Sequence, residues 1–184
     1  DIQLFPRFLG EEGERFFTLQ TRCREYPKAH IVYVPPFGEE MNRCRALVSQ
    51  QARGFAESGY SCTIIDFYGS GDSEGELRDA SLAIWQGNIR LTLETLQRET
   101  PAPVILWGLR LGALIAMDFA AKSTIDIQNI ILWQPVVSPE RYVTQILRQR
   151  VAALVGKDLA PETTSQIRKK LSDGECVEIS GYTV

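Results

Sequence analysis

Two hydrophobic patterns alternate along this chain. Short apolar runs, rich in β-branched residues, predict buried strands at 31–34, 60–67, 103–108 and 128–136. Strict alternation of apolar and polar residues at 15–23 predicts an edge strand with one face in water. Apolar residues three or four positions apart predict helices at 42–58, 82–96 and 111–122. The last of these helices is apolar on nearly every side, which predicts that neighbouring elements surround it.

The order of these elements is typical of an α/β fold. Strands and helices alternate after the first two strands, which predicts a three-layer, doubly wound, mostly parallel sheet with helices on both faces. After Pro139 the pattern changes to one helical stripe, followed by a charged, turn-rich piece at 156–173 that is a second helix or a loop. The stripe consists of Val143, Ile146, Leu147, Val151, Leu154 and Val155. We therefore predict a core domain at 1–138 and a helical cap or lid at 139–184.

Composition and charge exclude several classes of protein. The 184 residues, 44% of them apolar, are enough for one soluble domain with a sizeable core. The net charge of −3 has no long run of one sign, so no nucleic-acid partner is expected. Every apolar run is far shorter than the roughly 20 residues that span a bilayer, and the start has no signal-peptide pattern. We therefore expect no membrane span and a cytoplasmic location.

Cysteine and histidine are too sparse for a metal or cofactor site. The four cysteines are widely spaced, without a C-x-x-C pair, which favours reduced structural thiols. His30 is the single histidine of the chain. We therefore predict no metal site and no cofactor.

The most informative motif is the stretch WGLRLGA, in which Gly108 and Gly112 flank Arg110. Its frame matches the G-x-S-x-G turn that presents a serine nucleophile between a strand and a helix, but arginine stands at the apex. In a doubly wound sheet the loops after the parallel strands meet at the carboxyl edge, where ligands bind. We therefore expect Arg110 to lie at the ligand site.

The loops after the first two parallel strands supply the other candidates. The backbone N–H groups of Phe37, after the Pro-Pro corner, and of Leu111, at a helix start, are placed as an oxyanion hole would be. The Gly-rich loop DFYGSGDSEG contributes Asp72 and Ser73 as candidates for ligand binding. The alternative for both residues is structural, because aspartate and serine side chains commonly brace loops through bonds to the backbone.

Between Pro35 and Arg150 the chain closely resembles one known family. The segments PPFGEEMNRCR, IDFYGSGDSEGE, WGLRLGALIA, ILWQPVV and QILRQRVAAL resemble the bacterial α/β-hydrolase relatives called exosortase A system-associated hydrolase 2. The resemblance implies an α/β-hydrolase fold and an ester, thioester or other acyl-type substrate, in the context of exopolysaccharide synthesis and protein sorting. It also implies that the arginine belongs to the family pattern.

The chain departs from the catalytic pattern of the wider superfamily. There the nucleophile is followed along the chain by an acid and then a histidine. Here no histidine follows Arg110, and His30 precedes the oxyanion loop, so we expect it on the surface or at a strand edge. The strands that would carry acid and base are not expected within these residues. A sheet without them would expose an edge, so we predict self-association into a homo-oligomer.

Arg110 leaves three roles open. A guanidinium stays protonated and is no nucleophile at neutral pH, so ordinary serine hydrolysis is not expected. It binds carboxylates and phosphates well, which favours an anchor for a small acyl or anionic ligand. The alternatives are an ion pair with Glu39 or Glu40 on the neighbouring loop, or a direct part in catalysis. The protein is then either a hydrolase of unusual site chemistry or a non-catalytic binding or scaffold protein.

Overall fold

The structure of the chain is a computed structural model that describes residues 2–154, 162–179 and 181–184. It divides into two compact units, Asp1–Pro135 and Val136–Val184. Each unit has its own core, and each is described by itself.

The first unit is built on a six-stranded sheet. Its strands are β1 (Gln3–Leu9), β2 (Phe16–Arg22), β3 (His30–Val34), β4 (Ser61–Ile65), β5 (Val104–Leu109) and β6 (Asn129–Trp133). They lie side by side in the order β1-β2-β4-β3-β5-β6. The four strands β4, β3, β5 and β6 are parallel, while β1 and β2 are antiparallel to their neighbours. The predicted α/β class with a mostly parallel sheet is confirmed.

Helices cover both faces of this sheet. They are α1 (Glu39–Glu57), α2 (Leu82–Glu99) and α3 (Leu111–Lys122), and a single 3₁₀ turn, Leu77–Asp79, precedes α2. Ile89 and Leu93 of α2 and Ile115 of α3 pack with Val32 and Leu106 on one face. On the other face α1 contributes Val48 and Ala52 to a cluster that includes the fully buried Trp107. These two apolar layers stabilise the sheet by removing both faces of its central strands β3 and β5 from water.

The amino-terminal strands differ from the prediction. The strand predicted at 15–23 is β2, but it lies second in the sheet, because β1 pairs with it along its whole length. The sequence pattern had not indicated β1, which contains Pro6. Proline cannot donate to a ladder and is confined to edge strands, which is where Pro6 lies. The edge prediction for 15–23 was therefore wrong.

The helix boundaries differ from the predictions by a few residues. Helix α1 begins at Glu39 rather than at residue 42, directly after Gly38, whose φ is 59°. Helix α2 extends to Glu99. Of its predicted apolar stripe, Ile89, Leu93 and Leu96 are buried, but Leu82 is 49% exposed because it lies in the first turn.

The described residues of the second unit form two helices and a short hairpin: α4 (Pro139–Leu154), α5 (Thr164–Ser172), β7 (Glu178–Ile179) and β8 (Tyr182–Thr183). Its core contains Leu147 of α4, Ile167 of α5, Val177 and Ile179. Thr163 and Gln166 form a capping box at the start of α5. Of the predicted stripe, Ile146 and Val151 also pack on this core, Val143 is 37% exposed, and Val155 lies outside the described residues. The boundary at 138 and the role as a cap remain predictions.

Candidate active site

Arg110 stands alone between β5 and α3, in a backbone conformation that L-residues rarely adopt. Its φ of 55° and ψ of −116° turn the chain sharply from strand into helix. The backbone N–H of Arg110 donates to the Trp133 carbonyl at 3.0 Å, and its own carbonyl accepts from the Ala113 N–H at 3.2 Å. The turn is therefore fixed on both sides by the main chain, and the arginine side chain projects from its apex.

Gly108 and Gly112 are required by the tightness of this turn. A Cβ atom on Gly108 would lie closer than 3.0 Å to the backbone of Ala113. A Cβ atom on Gly112 would lie closer than 3.0 Å to the carbonyl groups of Val34 and Pro35. The first turn of α3 is thus packed directly against the loop that follows β3.

This packing brings the two candidate oxyanion donors into one region. Leu111 is the first residue of α3, so its N–H precedes the first hydrogen bond within the helix. Phe37 lies three residues after Val34, in the loop against which Gly112 packs, and is half-buried. The arrangement suits an electron-rich oxygen, because a helix start and a loop N–H both favour negative charge.

Arg110 forms an ion pair with Glu40. The Arg110 Nε lies 3.3 Å from Oε1 of Glu40, with the two side chains 28% and 38% exposed. Glu39, the other candidate, instead faces Arg43 one helical turn along α1, at 3.4 Å. Of the two acidic residues that follow the Pro-Pro corner, the structure brings Glu40 to Arg110 and leaves Glu39 on the helix surface.

Asp72 and Ser73 lie around Asp66, at the end of β4. The Ser73 hydroxyl donates to the Asp66 carbonyl at 2.6 Å and accepts from the Phe17 N–H at 2.8 Å. The backbone N–H of Asp72 donates to the Asp66 carboxylate at 3.0 Å. Phe17 belongs to β2, three strand positions from β5, which corresponds to about 14 Å. The structure thus engages the Ser73 hydroxyl in bracing its loop and does not bring it to Arg110.

Comparison with known proteins is consistent with this geometry. The family model described as serine aminopeptidase, S33, matches residues 25–177, which is most of the chain. The chain belongs to this family. The match includes the Arg110 turn, the loop after β3 and the Asp66 loop. No curated protein matches the sequence.

Solved α/β hydrolases share the fold at low sequence identity. A serine hydrolase homologue from Coxiella burnetii is 17% identical, with a TM-score of 0.60 over 85% of this chain and 83% of that one. Est1E from Butyrivibrio proteoclasticus, solved with ferulic acid bound, is 20% identical, with a TM-score of 0.62 over 85% and 61%. Mouse alpha/beta hydrolase domain-containing protein 10 is 22% identical, with a TM-score of 0.58 over 90% and 59%. These likenesses establish the α/β-hydrolase fold.

The sequence analysis predicted that His30 lies on the surface or at a strand edge, and this prediction was wrong. His30 begins β3, between β4 and β5, and is 2% exposed. Burial lowers the pKa of its imidazole, and the nearby Arg22 guanidinium lowers it further. Val34, at the other end of β3, pairs with Gly108, so His30 lies about 13 Å below the Arg110 turn. It therefore cannot act as a base at that turn.

Two features of the site were missed by sequence reasoning. The Arg45 guanidinium donates to the buried Asp66 carboxylate at 2.8 Å and so holds the Asp66 loop to α1. The rings of Phe67 and Trp85 stack at 5.1 Å, and Phe37 lies 6.4 Å from Trp85. Sequence spacing does not indicate either contact, because each contact joins residues of different elements. The one available signal was the presence of Phe37 and Phe67 in the loops that follow two parallel strands.

The described residues contain no group of three or more His, Cys, Asp or Glu side chains placed to hold a metal ion. Within those same residues, no helix combines the length and the hydropathy that crossing a bilayer requires.

Proposed function

We propose that this family member binds a small acyl or ester-type molecule at the carboxyl edge of its sheet, with Arg110 as the anchor for a carboxylate or carbonyl oxygen. The observation that carries this proposal is the place of Arg110, at the apex of the β5–α3 turn beside Leu111. An elbow serine would attack a carbonyl carbon from this position, whereas a guanidinium binds the oxygen instead.

The Glu40 carboxylate supports the same reading of the site. It shows that a carboxylate can reach Arg110, at 3.3 Å from Nε. Since both side chains remain partly exposed, the pair is worth no more than about 1 kcal/mol, and a ligand carboxylate can compete for the guanidinium. The alternative reading, in which the ion pair is purely structural, predicts no ligand.

The finer context of the proposal comes from the sequence resemblance. Segments such as WGLRLGALIA resemble exosortase A system-associated hydrolases, which supports a cytoplasmic role in exopolysaccharide synthesis and protein sorting. Est1E, a fold neighbour that was solved with ferulic acid bound, supports an acyl-type ligand. Binding without turnover, as a scaffold protein of that system, is part of this proposal, and so is a homo-oligomeric state.

Binding of carboxylates tests the anchor. Sodium butyrate and sodium hexanoate are titrated into the protein and into Arg110→Met, with Arg43→Met as the matched control, since Arg43 also pairs with a glutamate of α1. We expect Arg110→Met to weaken binding about tenfold, the effect of one charge-assisted hydrogen bond, and Arg43→Met to leave it unchanged. Equal affinity in all three proteins would favour the structural ion pair.

Hydrolysis is the second candidate function, favoured by membership of the family. It is measured with p-nitrophenyl butyrate on the protein and on Arg110→Ser. We expect neither to exceed the uncatalysed rate, because the single histidine lies at the far end of β3. Hydrolysis that appears only in Arg110→Ser would show that a base other than His30 activates the new serine. Hydrolysis by the unsubstituted protein would show that it is an enzyme.

A further inference from the structure

Gln134 directly follows β6 and lies beside Arg110. The parallel register of β5 with β6 pairs Leu109 with Trp133, so its continuation by one residue places Gln134 opposite Arg110. The Arg110 N–H donates to the Trp133 carbonyl at 3.0 Å, as expected for one more rung of this ladder. Neighbouring strands lie about 4.8 Å apart, so the backbones of the two residues occupy adjacent points on the carboxyl edge of the sheet.

Both residues have a backbone conformation that is rare for any residue except glycine. Arg110 has a φ of 55° and Gln134 a φ of 42°, and no other residue besides glycine has a positive φ in the part of the chain that the structure describes. Such conformations are concentrated at functional sites, where the surrounding structure holds them in place. The conformation of Gln134 therefore marks the same edge of the sheet as that of Arg110.

The local sequence does not account for the conformation of Gln134. Pro135 follows it, and a residue before a proline favours extended backbone. Asparagine and aspartate tolerate a positive φ because their short side chains bond to the nearby backbone, but the longer glutamine side chain is not among these. A glycine would make the same turn without strain. What glutamine adds at this position is its side-chain amide.

The Gln134 amide is available for binding. The residue is exposed, and its side chain forms no hydrogen bond with any other described residue. A primary amide offers two N–H donors and one carbonyl acceptor. Because a glutamine side chain is about as long as the spacing between strands, this amide can reach a second group of a ligand that is bound to the Arg110 guanidinium.

The guanidinium and the amide together favour one kind of ligand. The guanidinium binds a carboxylate, whereas the neutral amide both donates and accepts and so matches a hydroxyl group, which does the same. A second carboxylate on the ligand would lie near the Glu40 charge, 3.3 Å from the Arg110 Nε, and would be repelled. An unsubstituted alkyl chain would leave the amide without a partner. The second polar group of the ligand is therefore expected to be uncharged.

We propose that Gln134 is a second ligand-binding residue of the Arg110 site and that the ligand is a hydroxy acid, whose carboxylate binds Arg110 while its hydroxyl binds the Gln134 amide. This inference rests on the proposed carboxylate site at Arg110 and narrows its ligand from any small acid to a hydroxylated one. Since the two side chains start one strand spacing apart, the hydroxyl must lie only a few bonds from the carboxylate.

Calorimetric titration with sodium butyrate, 2-hydroxybutyrate and 3-hydroxybutyrate tests this proposal, because these acids differ only in the hydroxyl. The proteins are the unsubstituted chain, Gln134→Met and the matched control Gln128→Met, since Gln128 is also exposed but precedes the opposite end of β6. We expect at least one hydroxy acid to bind about tenfold more tightly than butyrate to the unsubstituted chain and the control, the effect of one hydrogen bond. Gln134→Met should lose this preference and keep the affinity for butyrate.

The outcomes separate this inference from the proposed function. If butyrate binding depends on Arg110 but neither hydroxy acid binds more tightly than butyrate, the carboxylate site stands and the role of Gln134 is wrong. A preference that persists in Gln134→Met would also contradict that role. If none of the three acids binds to the unsubstituted chain, both proposals fail.

Gln134→Gly distinguishes a ligand-binding side chain from a structural one, and it replaces Gln134→Met if circular dichroism shows that variant to be unfolded. Glycine removes the amide and relieves the backbone strain, so the melting temperature should rise by about 2–4 °C while the preference for the hydroxy acid is lost. A melting temperature below that of the unsubstituted chain would show that the side chain supports the fold instead, which would contradict the proposal.

Discussion

Gly112 of α3 packs so closely on the loop after β3 that a Cβ atom at this position would lie closer than 3.0 Å to the carbonyl oxygen of Val34. The atoms it would meet on the loop side, the carbonyl oxygens of Val34 and Pro35, belong to the backbone, which cannot rotate away as a side chain can. The contact joins the Arg110 turn to the candidate oxyanion loop, so the geometry of the whole site depends on it.

Gly112→Ala is therefore expected to destabilise the fold. Separating α3 from β3 enough to admit a methyl group disrupts the packed core, and overpacking of this kind costs about 1–3 kcal/mol or more. The free energy of unfolding, from urea denaturation followed by circular dichroism, measures it. Gly87→Ala is the matched control: Gly87 also lies in a helix, has no neighbour within 4 Å of a Cβ, and should gain about 0.4–1 kcal/mol. Similar effects for the two substitutions would contradict the close contact.

The backbone strain at Arg110 predicts an order among its variants. A φ of 55° with ψ near −116° suits glycine better than any residue with a Cβ, and such strain costs on the order of 1–3 kcal/mol. Arg110→Gly and Arg110→Ser both lose the Glu40 ion pair, but only the serine variant keeps the strain. Thermal unfolding should show the glycine variant to be the more stable by about 1 kcal/mol, after the greater entropy of unfolded glycine is allowed for. If serine is as stable as glycine, the turn is not strained.

The Asp66 carboxylate should matter for stability and the Asp72 carboxylate should not. Asp66 is 2% exposed and accepts from Arg45 and from the Asp72 N–H, so Asp66→Asn should cost about 2 kcal/mol or more. In Asp72 the backbone N–H makes the bond to Asp66, and the side chain is exposed. Asp72→Asn should therefore change the free energy of unfolding by no more than about 0.5 kcal/mol. Urea denaturation of the two variants decides this, and a large loss in Asp72→Asn would contradict the assigned bonds.

Stability should fall as the pH drops below about 6.5, through His30. Burial lowers the pKa of its imidazole in the folded state, whereas in the unfolded chain it is near 6.5. Below that value the unfolded state binds more protons, so the free energy of unfolding decreases with falling pH by at most about 1.4 kcal/mol per unit. Above about pH 7 this group contributes no slope.

His30→Gln provides the control, because it cannot titrate. Its unfolding free energy should be flat between pH 5 and 7.5. The carboxylates whose pKa is lowered in the fold, such as Glu74 beside Arg15 and Glu162 beside Lys170, lose their stabilising effect only below about pH 4.5 and so do not enter this window. A slope that persists in His30→Gln would show that another group is responsible.

The central strands and α3 could be predicted because their patterns are unambiguous: 31–34 is a short run rich in β-branched residues and closed by two prolines, and 111–122 is apolar on nearly every side. The strand β1 could not, since Pro6 reads as a break unless its position at an edge is already known. His30 was misplaced because one histidine beside an apolar run gives no sign of the strands on either side of it.

The candidate site also has features that the sequence predicts and features that it does not. The turn at Arg110 was predictable from its two glycines, because a tight turn from strand to helix leaves no room for a Cβ atom at either position. The choice of Glu40 over Glu39 was not, because the two are adjacent in sequence and only the start of α1 decides which one faces β5. The pair of Arg45 and Asp66 depends on tertiary packing alone.

The most direct test of carboxylate binding at Arg110 is a calorimetric titration of sodium butyrate into three proteins: the unsubstituted chain, Glu40→Gln and Arg110→Met. Removing the Glu40 charge takes away a competitor for the guanidinium, and removing Arg110 takes away the anchor. Affinity should therefore be highest in Glu40→Gln, intermediate in the unsubstituted chain and lowest in Arg110→Met. The same affinity in all three proteins, or no binding in any of them, would contradict the proposed role of Arg110.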